Sequence, residues 1–75
     1  MALMISGPVC GYCRRIRPLY DKVCADLGIE PRHIMYSDYD GEVESVPCLI
    51  NKEGKKMYGG NHNYDELKQF FIGDK

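Results

Sequence analysis

Apolar residues in this chain fall into short runs separated by polar turns, and their spacing predicts alternating strands and helices. Ala2-Leu3-Met4-Ile5 is continuous and apolar and stops at Ser6-Gly7-Pro8, which predicts a central strand covered on both faces. From Cys13 the apolar positions Ile16, Leu19, Tyr20, Val23, Cys24 and Leu27 recur at helical spacing, with Arg, Lys and Asp between them and Gly28 as the stop. Pro18 lies inside this pattern and predicts a kink rather than a break. His33 to Tyr36 reads as a second strand, reached from the first by a right-handed parallel crossover. Ser37 to Val46 is polar and turn-rich, with no helical period.

Past Pro47, Cys48-Leu49-Ile50 predicts a third strand, Lys52-Glu53-Gly54-Lys55 a hairpin turn, and Lys56-Met57-Tyr58 a fourth strand before Gly59-Gly60. A last helix opens at Asn63, with Glu66 three residues on as its capping-box partner and Leu67, Phe70, Phe71 and Ile72 as its apolar stripe. The order is βαβ then ββα. It gives the α/β class, with a four-stranded mixed sheet and two helices in one domain over residues 1–75.

No helix is predicted between the second and third strands, so one sheet face lacks a helical cover. An apolar face open to water invites a partner, because Ala2 to Ile5 is apolar whichever way it is turned. Two arrangements answer this. Either Tyr36, Tyr39 and Tyr58 cover the face, or a second copy buries it in a homodimer, and the latter is the expectation.

Composition narrows the classes further. Seventy-five residues with 44% apolar content allow a single modest core. The formal net charge of −1, with Lys and Arg spread along the chain, provides no basic field for nucleic acid. The Ala2 to Ile5 run is too short for a membrane span and has no positively charged start, so no membrane partner and a cytoplasmic location are expected. On that footing the four cysteines point to redox chemistry rather than to a secreted disulfide scaffold.

That chemistry centres on Cys10-Gly11-Tyr12-Cys13. Two cysteines one helical turn apart stand about 5–6 Å apart at Cβ, near the separation a disulfide accepts. Cys10 falls at the mouth of the helix, where unpaired backbone N–H groups and the helix dipole favour a thiolate, and Arg14 and Arg15 add positive charge. The layout makes Cys10 the attacking thiol and Cys13, one turn deeper, the resolving thiol of disulfide exchange.

Together these residues resemble the thioredoxin and glutaredoxin family. The likeness is carried by Cys10-Gly-Tyr-Cys13 with Pro18 five positions later, by Val46-Pro47 ahead of a strand, by Gly59-Gly60, and by Asn63-Tyr-Asp-Glu-Leu-Lys-Gln-Phe-Phe71. It covers most of the chain and implies a minimal thioredoxin-like fold that reduces protein disulfides. It also implies a cis Val46-Pro47 bond beside the cysteines and a substrate strand held by the backbone of Val46. Tyr12, Val46, Pro47, Gly59 and Gly60 are the substrate-binding candidates, and a thioredoxin reductase or glutathione is the implied electron donor.

The chain departs from the family in several places. Val9 stands where thioredoxins place a Trp, and Met4 where they bury an acid. Gly7 and Asn61 replace residues with which glutaredoxins engage glutathione. The alternatives are therefore a glutaredoxin-like, glutathione-dependent disulfide reductase, or a metal or iron–sulfur carrier or adaptor. No cofactor or metal is expected, since Cys24, Cys48, His33 and His62 are scattered without a second close pair. Cys24 on the apolar helix face and Cys48 on its strand read as core residues, and His62 as a loop histidine.

Overall fold

The computed structural model describes residues 2–74. The order is β1 (Ala2–Ser6), α1 (Gly11–Leu27), β2 (Pro31–Met35), β3 (Cys48–Ile50), β4 (Lys56–Tyr58) and α2 (Tyr64–Phe71), with 3-10 turns at Tyr36–Asp38 and Ile72–Asp74. The sheet runs β2-β1-β3-β4. β1 is parallel to β2 and antiparallel to β3, and β3 is antiparallel to β4. This is the α/β fold with a four-stranded mixed sheet and two helices that the apolar pattern predicts.

β1 is central and feeds both faces of the sheet. Ala2 and Met4 join Leu49 in a core with Ile16, Tyr20, Val23 and Cys24 of α1 and Leu67 and Phe71 of α2. The Tyr20 and Phe71 rings meet at 5.6 Å, and the Tyr20 hydroxyl donates to the Arg32 carbonyl at 2.7 Å. Burial holds the Tyr20 phenol far above its usual range.

α1 runs unbroken through Pro18, because a proline removes one backbone donor and the packed apolar face holds the remaining turns. It ends in a Schellman motif: Gly28 takes φ 73°, its N–H reaches the Ala25 carbonyl, and the Ile29 N–H reaches Cys24 at 2.8 Å. α2 opens on the expected capping box, Asn63 accepting from the Glu66 N–H at 2.9 Å and donating its own N–H to the Glu66 carboxylate at 3.2 Å. The hairpin between β3 and β4 is organised by buried Asn51. Its side-chain oxygen accepts from the N–H groups of Glu53 and Lys55, while its amide donates to the Phe70 carbonyl of α2.

Three expectations change. β2 begins at Pro31 rather than His33, since a proline can start a strand without forfeiting a ladder bond, and Tyr36 leaves the sheet for a 3-10 turn. Ile72 lies beyond α2 and is exposed, so the buried stripe is Leu67 and Phe71 with Phe70 at its edge.

The third concerns the second sheet face, which the missing helix leads one to expect bare. Ile5, Cys48 and Ile50 are buried there against Tyr39, Val43, Val46 and Tyr58. The 39–46 loop therefore supplies the cover. It is tied to β4 by the Glu44 N–H donating to the Tyr58 hydroxyl at 3.3 Å and by the Lys56 ammonium donating to the Glu42 carbonyl at 2.6 Å. Of the three tyrosines, Tyr39 and Tyr58 take part and Tyr36 stays exposed.

Candidate dithiol site

The site forms where β1 hands over to α1. Ser6-Gly7-Pro8 ends the strand, and Cys10, in extended conformation with φ −139° and ψ 100°, becomes the N-cap of α1. Its sulfur accepts the Cys13 N–H at 3.1 Å, satisfying one of the orphan donors at the helix start. Cys10 and Cys13 are joined as a disulfide, with Cα atoms 5.2 Å apart. The two residues differ in exposure: Cys10 is half-buried, whereas Cys13 is 5% exposed and belongs to the core. No acidic residue occupies the first turn of α1, and Arg14 and Arg15 are exposed beside it.

Two other segments converge here. Gly60 is buried against Tyr12 so closely that a Cβ on it would lie 2.7 Å from the Tyr12 Cβ and 2.9 Å from the Tyr12 carbonyl oxygen. Val46 packs on Gly7, where a Cβ would meet its Cγ2 at 3.0 Å. The Val46-Pro47 bond is cis, and Gly59, at φ 89°, donates its N–H to the Pro47 carbonyl at 3.1 Å. Pro47 itself is fully buried, so its ring shapes the loop from below while Val46 reaches the surface. Val9, 96% exposed, and Tyr12, 54% exposed, stand on either side of Cys10 in sequence as exposed large hydrophobic residues.

Two clefts meet at Gly7 and Pro8, and one of them is lined by the disulfide. One, of about 260 Å³, is bordered by Tyr36, Val43 and Val46. The other, of about 160 Å³, holds both cysteines together with Ser6, Arg14, Arg17 and His33. Sequence reasoning did not single out Ser6, Arg17 or His33 as a group. His33 lies 2.8 Å from the Ser6 hydroxyl and 3.2 Å from the Arg17 guanidinium, and burial with the neighbouring Arg17 charge lowers its pKa. No sequence signal marks the group, because it is assembled by the parallel register that sets His33 beside Met4.

The remaining thiols and histidine lie apart from this chemistry. Cys24 is fully buried, and desolvation pushes its thiol up to about 11; Cys48 is buried and likewise raised. His62 faces the Tyr58 carbonyl at 2.7 Å and the Glu66 carboxylate at 2.9 Å. Both partners accept only, so both ring nitrogens must donate, and its pKa is raised, first by Glu66 and then by the carbonyl. Among the described residues no group of three or more His, Cys, Asp or Glu could hold a metal ion, and no helix is long and apolar enough to cross a membrane.

Compared with family models, curated proteins and solved structures, the chain matches none of them.

Proposed function

We propose that this chain is a thiol-disulfide oxidoreductase of the thioredoxin and glutaredoxin type, reducing protein disulfides through Cys10 and Cys13. The observation that carries it is the asymmetry of the pair. Cys10 is the more exposed residue of the two and its sulfur receives a backbone N–H at the helix mouth, whereas Cys13 is buried one turn deeper.

In the proposed cycle the Cys10 thiolate attacks a substrate disulfide, forming a Cys10–substrate disulfide and releasing one substrate thiolate, which takes a proton from water. Cys13 then loses its proton and attacks the Cys10 sulfur, forming the Cys10–Cys13 bond and expelling the second substrate thiolate. Two electrons pass from the dithiol to the substrate. Val9, Tyr12 and Val46 line the approach, and Gly60 lets the Gly59-Gly60 turn come up against Tyr12. A thioredoxin reductase or glutathione returns the electrons. A cytoplasmic, reducing location belongs to the same proposal and suits the unpaired Cys24 and Cys48.

The test is insulin reduction by the purified protein, with reduced glutathione or a thioredoxin reductase system as electron donor. Turnover that is lost in both Cys10→Ser and Cys13→Ser supports the proposal, and whichever donor sustains it identifies the physiological class. A chain inert with either donor contradicts it.

A further inference from the structure

The cleft that holds the cysteines is cationic: its lining includes Arg14, Arg17 and His33 and no carboxylate. α1 accounts for this. Arg14 follows Cys10 by four positions and Arg17 follows Cys13 by four, so helical spacing stacks each arginine one turn below a cysteine. Arg14 is exposed, and among the described residues no carboxylate pairs with its guanidinium. Arg17 is held in place, with Nη1 3.2 Å from His33 Nδ1 and Nε 3.7 Å from the Asp21 carboxylate. That ion pair is exposed on both sides, so it offsets the Arg17 charge only in part. The neighbouring cleft beyond Gly7 and Pro8 has Glu44 as its one charged lining residue, among Tyr36, Val43 and Val46. The surface is therefore polarised across Gly7 and Pro8, cationic on the side of the cysteines and anionic on the other. A carboxylate arriving with a substrate is drawn to the cysteine side.

We propose that the chain selects protein disulfides with an aspartate or glutamate next to the target cysteine, and that Arg14 and Arg17 set this preference. The carboxylate enters the cleft beside the disulfide under attack and pairs with Arg14, while Arg17, fixed by His33, offers its remaining N–H groups. A guanidinium takes a carboxylate through two parallel N–H donors, so the pair orients the substrate as well as attracting it. A lysine or arginine in the same place on the substrate meets two like charges and is disfavoured. The arginines act on approach and positioning alone. The bonds formed and broken remain those of the dithiol cycle.

This inference deepens the proposed dithiol cycle and rests on it, and one set of peptides tests the two separately. Each peptide is capped at both ends and carries one cysteine as its uncharged 2-thiopyridyl disulfide, flanked by Glu, by Gln or by Lys. Attack of Cys10 on the peptide sulfur forms the mixed disulfide and expels 2-thiopyridone, whose absorbance gives the rate. Dividing each rate by that of dithiothreitol with the same peptide removes the peptide's own reactivity. The parent is expected to favour the Glu peptide over the Gln peptide about fivefold and to disfavour the Lys peptide, the order of two charge pairs at a cleft rim. The preference should fall to about twofold in Arg14→Gln and vanish in Arg14→Gln/Arg17→Gln, and it should shrink in about 0.5 M salt. Any effect of the arginines on Cys10 itself changes every peptide by a common factor and leaves this ratio untouched. Arg14 is exposed, so Arg14→Gln carries the test if the double variant does not fold. A parent that treats the peptides alike, or a preference undiminished in the variants, overturns the selection of acidic substrates. Failure to release thiopyridone from any peptide overturns the dithiol reading instead.

Discussion

Gly60 lies so close to Tyr12 that a single added carbon would sit 2.7 Å from the Tyr12 Cβ. The contact locks the turn after β4 onto the segment between the two cysteines. Because the tyrosine backbone is part of the obstacle, rotating its ring cannot relieve the clash. Gly60→Ala should therefore destabilise the protein by about 1–3 kcal/mol, typical of overpacking, and should slow thiol exchange by displacing Tyr12. Thermal melting and the rate of insulin reduction check it; a parent-like melting temperature would show that the turn yields freely.

The four thiols should separate by reactivity. In the reduced protein at mildly acidic pH, iodoacetamide is expected to label Cys10 first, because it is accessible and receives a backbone N–H at the helix start. Cys24 and Cys48 are buried with raised pKa values and should be modified only once the chain unfolds. Peptide mass mapping after a short pulse gives the order, and early labelling of Cys24 or Cys48 would contradict the burial described here.

Much of the fold is legible in the sequence because its signals are local. The bounds of β3 follow from the apolar triplet after Pro47, those of β4 from the short run between the Lys52–Lys55 turn and Gly59-Gly60, and the Asn63 and Glu66 capping box from a spacing of three. Cys10 and Cys13 are equally visible, being one helical turn apart. The Ser6–His33–Arg17 chain is not, because its partners stand 27 and 16 positions apart and meet only through the parallel register of β1 and β2. The covered sheet face was hidden for a similar reason. Tyr39 and Val43 lie in an aperiodic polar segment, and their packing on Ile5 and Cys48 depends on tethers to β4.

That cover carries a prediction about assembly. With Ile5 and Cys48 already buried by the chain's own loop, the protein should remain monomeric across a concentration series in reductant. Val43→Asp, which places a charge among those apolar residues, should destabilise it by about 1–3 kcal/mol and expose the face to self-association. Light scattering decides both points, and a stable dimer of the parent protein would show that the loop leaves a sticky surface behind.

His62 and Glu66 predict a pH dependence with a definite sign. The folded pKa of His62 is raised, so its stabilisation is complete below the unfolded value near 6.5 and fades as pH rises through the folded value. That of Glu66 is lowered, so its contribution is present above about 4.5 and fades as pH falls through the folded value. The pair should help most between these limits. His62→Gln should accordingly melt below the parent near pH 5.5, with the gap narrowing towards pH 8. A gap that is constant over this range would show that no charge is involved.

The central claim is that Cys10 attacks and Cys13 resolves, and trapping tests it most directly. Cys13→Ser and Cys10→Ser, each reduced and mixed with oxidised insulin, are quenched in acid and weighed intact by mass spectrometry. Cys13→Ser is predicted to accumulate a mixed disulfide on Cys10 that reductant removes, and Cys10→Ser to remain unmodified. Equal trapping by both variants, or trapping by Cys10→Ser alone, would contradict the assignment.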